Sequence, residues 1–437
     1  MRWSTQLLAS ITDANIVGGH LNGDGAAFDS RLIGDDQLFI AVPSDGVGDT
    51  GERFVTDARS RGCRAILVTA NSPAIAQASD LAMTSIVVDN VEHALAAIGR
   101  HIRAQLPDRV IGITGSVGKT STKDFSLAAL SARFRTHANT ANFNNEIGLP
   151  TTLLNAPDDV EAIVLEMGMR GFGQITSLCS IASPTVGVIT RIAAVHTELV
   201  GDIDGVARAK GEIIEALPDH GIAILNADDP RVAASAPKTK ANVITYGYNG
   251  VVKIASITLD ANGYPTINVN SPWGDVTYSL DVMGEHQAHN SVCALAIAGV
   301  LGVDIAQAAQ ALQSVKLSKW RMQRIETPSG AVVINDAYNA SPASMEAALR
   351  TLAGVDAPRK TAFLGRMAEL GEHAKQYHRD IAQLASELGV GLIAVETDLY
   401  EVQPVTLDQA QQHLAELGVG DAALIKASRS VGLERLV

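Results

Sequence analysis

The sequence of 437 residues predicts an α/β protein of three domains, and three observations carry that prediction. Short apolar runs alternate with helix-forming stretches, which is the signature of parallel, doubly wound sheets. One of those runs, Val110-Ile111-Gly112-Ile113, leads into the turn Thr114-Gly115-Ser116-Val117-Gly118-Lys119-Thr120-Ser121 and then into a helical stretch over 122–132. The length itself corresponds to about three domains of ordinary size.

Taken in order, residues 1–106 read as a small α/β domain. Leu38-Phe39-Ile40-Ala41-Val42 and Ala65-Ile66-Leu67-Val68 are its strands, and Glu92 to Gln105 is a helix. Pro107-Asp108 makes a linker. The central domain, 107–316, has apolar runs at Ala162–Leu165, Val186–Ile189 and Ile222–Leu225 between helices. Within it, residues 251–282 alternate in polarity and are broken by Gly, Pro and Asn, so they read as small antiparallel strands. Asn290 to Leu301 reads as a buried, Ala-rich helix. The last domain, 317–437, places strands at Val332–Ile334, Ala362–Leu364, Leu392–Val395 and Ala423–Ile425.

Composition narrows the functional classes. Hydrophobic residues make up 46% and charged residues 19%, enough for a sizeable core. A net charge of -13 argues against nucleic acid as a partner. No apolar run is long enough to span a membrane, and the first residues lack a signal-peptide layout. Cys63, Cys179 and Cys293 are sparse and match no zinc spacing, as expected of a cytoplasmic protein.

A strand, a glycine turn ending in Gly-Lys-Thr and a helix make a phosphate-binding loop. Backbone N–H groups and the helix N-terminus favour phosphate oxygens. Lys119 reaches the β/γ-phosphates, and Thr120 supplies a hydroxyl to Mg²⁺. The strict pattern wants a small residue five places before Gly118, and Ile113 stands there. Glu166, after the strand Ala162–Leu165, is where an acidic Mg²⁺ ligand belongs, although a strand-end glutamate is common. His196 follows another strand; Lys210 lies in a helix, where a surface lysine is the default. Asp336, in Asn335-Asp336-Ala337-Tyr338-Asn339, is placed either to bond a ribose hydroxyl or to make an Asx turn.

In this order the segments resemble the Mur ligases, ATP-dependent enzymes that join amino acids or peptides to a UDP-muramoyl precursor of peptidoglycan. The resemblance covers nearly the whole chain. It rests on Thr114–Thr120, on Asn142-Phe143-Asn144-Asn145-Glu146-Ile147-Gly148-Leu149-Pro150, on Glu166-Met167-Gly168 and on Lys210-Gly211-Glu212. It continues through Gly284-Glu285-His286-Gln287-Ala288-His289-Asn290, Arg321-Met322-Gln323, Asp336–Ala340 and Lys426-Ala427-Ser428-Arg429. Leu364-Gly365-Arg366-Met367-Ala368-Glu369-Leu370-Gly371-Glu372 is similar to the branch that adds D-alanyl-D-alanine.

The resemblance implies an N-terminal UDP-precursor domain, a central ATP-binding domain and a C-terminal Rossmann-like ligase domain. It implies a monomeric cytoplasmic ligase joining D-alanyl-D-alanine to a UDP-N-acetylmuramoyl-tripeptide through an acyl phosphate, with no nucleic acid and no membrane insertion. Lys119, Lys210, His196 and Arg321 would be catalytic. ATP would lie on Thr114 through Ser121, His286, Asn290, Arg321 and Asp336. Substrate would meet Ser30, Arg31, Asn142, Asn145, Tyr338 and Asn339. Two Mg²⁺ ions would take Thr120, Glu166, His196 and a carbamylated Lys210. The sequence departs from the family at Arg191, Ser341, Arg366 and Ala427, and Glu52 stands where a His is usual. The competing readings are a relative adding another amino acid, including a folylpolyglutamate synthase, and a nucleotide-dependent switch. Because Arg321 and Asp336 lie far from the loop in sequence, the ATP site also requires the second and third domains to meet.

Overall fold

The computed structural model describes residues 2–43, 50–140, 142–194 and 197–437. The chain forms two compact units. One comprises Met1–Gly112, Phe134–Gly168 and Thr176–Thr185; the other comprises Ile113–Arg133, Met169–Ile175 and Val186–Val437.

The first unit holds a five-stranded sheet in the order Asn15–Val17, Thr84–Val88, Ala65–Thr69, Leu38–Ile40, Ala26–Ala27. Its first pair is antiparallel and the others are parallel. Phe39, Ile66 and Val68 build its core with Val55, Ala58 and Cys63. The helix Val91–Arg103 begins where Asn90 accepts from the His93 N–H at 2.8 Å. It ends on Arg103, whose Nε donates to Ala182 O at 2.7 Å. The expected strands and helix are present, and several further strands of two or three residues are too short to show a period.

The second unit contains two sheets. Val186–Ile189, Ile222–Asn226 and Asn242–Gly247 run parallel, and the first of them is buried throughout. Burial on both faces is why Val186–Ile189 and Ile222–Leu225 read as unbroken apolar runs, whereas Asn242–Gly247, only partly buried and interrupted by polar residues, does not. Val252–Leu259, Pro265–Asn270 and Val276–Ser279 then pair antiparallel. Pro265–Asn270 alternates buried and partly exposed residues, so its polarity alternates too.

The other sheet runs Gln323–Glu326, Val332–Asn335, Ala422–Lys426, Lys360–Leu364, Gly391–Ala394. All its pairs are parallel except the first, because Gln323–Glu326 forms a hairpin edge that the sequence reading missed. Chain order reverses at Ala422–Lys426, which lies between the strands of Val332 and Lys360. Ligands of open α/β sheets bind at such reversals, beyond the C-terminal strand ends. Asn335-Asp336, Leu364-Gly365 and Lys426 stand there. Two helices begin earlier than expected: Lys119–Ser131 starts directly after Gly118, and Glu285–Val300 includes His286 in its first turn.

Candidate functional site

The loop Thr114–Thr120 is clamped from behind by the segment that follows strand Val186–Ile189. Ser116 N–H donates to Arg191 O at 2.7 Å. The Ser116 hydroxyl donates to Ala193 O at 3.0 Å and accepts from Ala193 N–H at 2.9 Å. Thr190 donates through N–H to Thr114 O at 3.0 Å and through Oγ1 to Val117 O at 2.6 Å. The Thr190 carbonyl is itself held by Asn226 Nδ2 at 2.9 Å and Tyr246 Oη at 3.2 Å. Sequence reasoning found none of Thr190, Asn226 or Tyr246. Their signal is spatial, since Thr190 and Val117 are 73 positions apart.

Close packing dictates the two loop glycines. Gly115 has φ +149° and Gly118 φ +87°. A Cβ on Gly115 would lie 1.9 Å from Thr190 Oγ1, and one on Gly118 would lie 2.5 Å from Asn290 Oδ1. Only glycine lets the turn close this tightly. Lys119 Nζ folds back on Gly115 O at 2.8 Å. Helix Lys119–Ser131 packs on helix Glu285–Val300, so Asn290 lies against the loop and accepts from Thr122 Oγ1 at 3.4 Å.

The C-terminal part of the chain reaches this loop within the same unit. Arg321 Nη2 donates to Thr120 Oγ1 at 2.7 Å, and Asp124 accepts from Ser318 N–H at 2.8 Å and Ser318 Oγ at 2.9 Å. The guanidinium lies 4.2 Å over the Tyr338 ring. Its Nε is buried, with no hydrogen-bond partner among the described residues. Asp336 accepts from Met322 N–H at 3.1 Å and is ion-paired with the buried Lys426. His286 stands nearby, half-buried, and desolvation pushes its imidazole down to about 4, so it is neutral at pH 7. Burial also lowers His289, whose ring meets Tyr248 edge-on at 5.2 Å.

Glu166 is 2% exposed; its carboxylate accepts from Asn144 Nδ2 at 2.7 Å, and its main chain is held on both sides by Asn139. Lys210 lies in helix Ile203–Glu215 and is 1% exposed, which corrects the surface default. His196 lies outside the described residues, and of Thr197 and Glu198 only the backbone is described. Among the described residues no three His, Cys, Asp or Glu cluster as a ready-made metal cage. Magnesium does not require one: it binds through one or two carboxylates together with substrate phosphates.

The first unit carries a cleft of about 640 Å³. It is lined by Ser30, Arg31, Asn142 and Asn145, together with Phe28 and Phe143, whose rings lie 4.4 Å apart. Arg31 forms a two-pronged pair with Asp29 at 2.9 and 2.7 Å, which orients its guanidinium at the rim. Asn145 Oδ1 accepts from Gly148 N–H at 2.9 Å and so starts helix Gly148–Leu154. Tyr338 and Asn339, the other substrate candidates, stand on the turn after strand Val332–Asn335 in the second unit.

A half-buried phosphate loop joined to an arginine from a second α/β layer defines a nucleotide-binding α/β protein equipped for phosphoryl chemistry. Residues 113–298 match the Mur ligase middle domain, and residues 320–429 match the Mur ligase, glutamate ligase domain. The UDP-N-acetylmuramoyl-tripeptide--D-alanyl-D-alanine ligase of Mycobacterium bovis is 35% identical over 93% of this chain and 90% of its own length. The crystal structure of MurF from Acinetobacter baumannii superimposes with a TM-score of 0.86 at 28% identity, covering 100% of this chain and 98% of that one. MurF ligase from Thermotoga maritima in complex with ADP gives 0.79 at 26% identity, covering 94% and 96%. The chain belongs to the Mur ligase family. Its α/β, three-domain architecture is that of the family, as expected from the sequence.

Two outcomes follow from the site's packing. Gly115→Ala is expected to lose about 2 kcal/mol of stability or more, through both the clash and the positive φ, and to abolish binding of an ATP analogue. Chemical denaturation and calorimetric titration measure these. For His286, the folded value lies below the usual imidazole value near 6.5. The unfolded chain therefore takes up a proton that the folded chain resists, and stability falls as pH drops from about 6.5 toward 4. Melting curves across that range are expected to show the fall, with a shallower slope for His286→Gln than for the unsubstituted protein.

Proposed function

We propose that this chain is an ATP-dependent amide ligase that joins D-alanyl-D-alanine to a UDP-N-acetylmuramoyl-tripeptide in peptidoglycan precursor synthesis. The observation that carries the reading is the 35% identity, along 93% of the chain, to a ligase of that name. The phosphate loop and its arginine supply the chemistry such a reaction needs. The two alternatives, another acceptor or a nucleotide switch, have no observation favouring them. The reading places the enzyme in the cytoplasm; no described helix is long and apolar enough to cross a membrane.

The reaction is written in two steps. A carboxylate oxygen of the UDP-tripeptide attacks the γ-phosphorus of ATP, the bond to the β-bridging oxygen breaks, and ADP leaves. The free amine of D-alanyl-D-alanine then attacks the acyl carbon, loses a proton, and expels inorganic phosphate. Negative charge shifts from one oxygen to another throughout, so fixed cations and N–H donors lower the barrier. Lys119 and Arg321 are the cations we assign to the transferring phosphoryl group. The buried Nε of Arg321 is a donor available to a phosphate oxygen. We assign nucleotide binding to Thr114 through Ser121, Asn290 and neutral His286, which fits an uncharged purine better than an imidazolium would.

We assign the UDP-precursor to the cleft containing Ser30, Arg31, Asn142 and Asn145, and the dipeptide to the turn bearing Tyr338 and Asn339. Thr120, Glu166, His196 and Lys210 are the proposed magnesium ligands, for which bound Mg²⁺ would supply charge neutralisation. Lys210 suits the role once its ammonium has lost a proton and the resulting amine has combined with CO₂, losing a second proton, to give a carbamate. That changes a buried cation into an oxygen donor.

Phosphate release is expected to require ATP, the UDP-tripeptide and D-alanyl-D-alanine together; turnover with ATP alone would instead support the switch reading. Lys119→Ala should lower the rate on the order of 10²–10³-fold while the melting curve stays cooperative. Lys210→Ala should lose activity and regain part of it with added short carboxylic acids. Intact-protein mass spectrometry under CO₂ should show one extra carbamate on the wild type only. A bare lysine in a fully active enzyme would remove the carbamate from the scheme.

A further inference from the structure

Arg321 is held in a way that nucleotide binding alone does not explain. It is flanked by two non-glycine residues in the left-handed region, Trp320 at φ +59° and Met322 at φ +48°. Such conformations persist only where the surroundings over-determine them, and here each strained residue has its own restraint. Met322 N–H is bonded by Asp336 Oδ1 at 3.1 Å, and Trp320 O accepts from Tyr338 N–H at 3.2 Å. The Trp320 indole is covered by Arg429 at 4.2 Å. Both hydrogen bonds come from the Asp336–Asn339 turn. That turn is anchored by Lys426, which is 2% exposed, pairs with Asp336 Oδ2 and donates to Asn339 O at 2.9 Å.

We infer that Lys426, acting with Asp336, is a positioning residue that holds Arg321 against the phosphate loop. The inference rests on the reading of the chain as an ATP-dependent ligase, in which Arg321 meets the transferring phosphoryl group. It also gives Asp336 a role within the protein, distinct from the ribose contact the resemblance implies: each of its carboxylate oxygens accepts from a protein donor, Met322 N–H on one and Lys426 on the other. The consequence is kinetic. A ribose contact acts on the affinity for ATP, whereas a device that aims Arg321 acts on the step in which charge develops.

The test uses Lys426→Met, Lys426→Arg and the isosteric Asp336→Asn, each alone and combined with Arg321→Ala. Lys426→Met and Asp336→Asn are expected to lower kcat by about tenfold or more with little change in the KM for ATP, and Lys426→Arg to restore part of the loss. In the Arg321→Ala background the same changes are expected to have almost no further effect on kcat, because groups that act through one residue are not additive. Amide hydrogen exchange of Met322 and Tyr338 in the ligand-free protein reads the clamp without turnover. It should quicken in both variants. An equal loss of kcat in the two backgrounds, a loss confined to the KM for ATP, or unchanged exchange at these amides would overturn the inference. A wild-type protein inactive with its three substrates would instead remove the ligase reading and leave the exchange result to decide this one. Asp336→Asn keeps the volume and packing of the site, so a folding defect in Lys426→Met leaves the same three measurements in hand.

Discussion

The hydrogen bond from Arg321 to Thr120 is the constraint on which the nucleotide site depends, because it joins two stretches of chain 201 positions apart. Its geometry follows from the helix it meets. Thr120 and Asp124 are four residues apart and so share one face of helix Lys119–Ser131. The short segment Ser318–Arg321 can therefore use both. Ser318 binds Asp124 through its N–H and hydroxyl, and Arg321 binds Thr120. Thr122 meets Asn290 of the neighbouring helix instead. The first two turns of this helix thus serve as an attachment point for the rest of the second unit as well as a phosphate cradle.

Buried charge recurs in the second unit. Lys123, Lys210 and Lys426 are all almost fully buried. Burying a charge is costly, and a buried pair is weak evidence for stability. Lys426 is satisfied by an acidic partner and two carbonyls, which gives one defined position rather than a large net gain. An apolar residue of similar length could fill that volume but could not fix the Asp336–Asn339 turn from three directions. The charge is better explained by geometry than by stability.

Much of the fold was legible because the buried parallel strands, though short, are nearly unbroken apolar runs, and the phosphate loop because its glycines and its lysine-threonine pair stand in register. What was missed has physical reasons. Strands such as Asn15–Val17 and Asn22–Asp24 are too short to show a period. Gln323–Glu326 is an edge strand with a single apolar residue, Ile325, so it lacks an apolar run. The start of helix Glu285–Val300 was misplaced because Gly-Glu-His reads as loop. Lys210 had a signal that went unused: Val206, Ala209, Ile213 and Ile214 form the apolar stripe of its helix, and Lys210 falls inside it. A lysine in such a stripe is not a surface lysine. The clamp of Thr190, Asn226 and Tyr246 had no local signal, since each partner is distant in sequence and ordinary in type.

The restraints on Arg321 also bear on how the free protein relates to its bound form. A buried N–H without a partner costs about 1–3 kcal/mol, and two left-handed residues add of order 1 kcal/mol each. Stability alone would select against that combination. It is tolerated at sites where a ligand supplies the missing acceptor, because the cost is then removed on binding and enters the affinity for an anion. The donor beside Thr120 is oriented before any ligand arrives, so little rearrangement is needed when charge develops on a nearby oxygen. Preorganisation of this kind is what electrostatic catalysis requires of a protein. In this chain it is built from a strained turn, one buried lysine and one aspartate rather than from the phosphate loop itself.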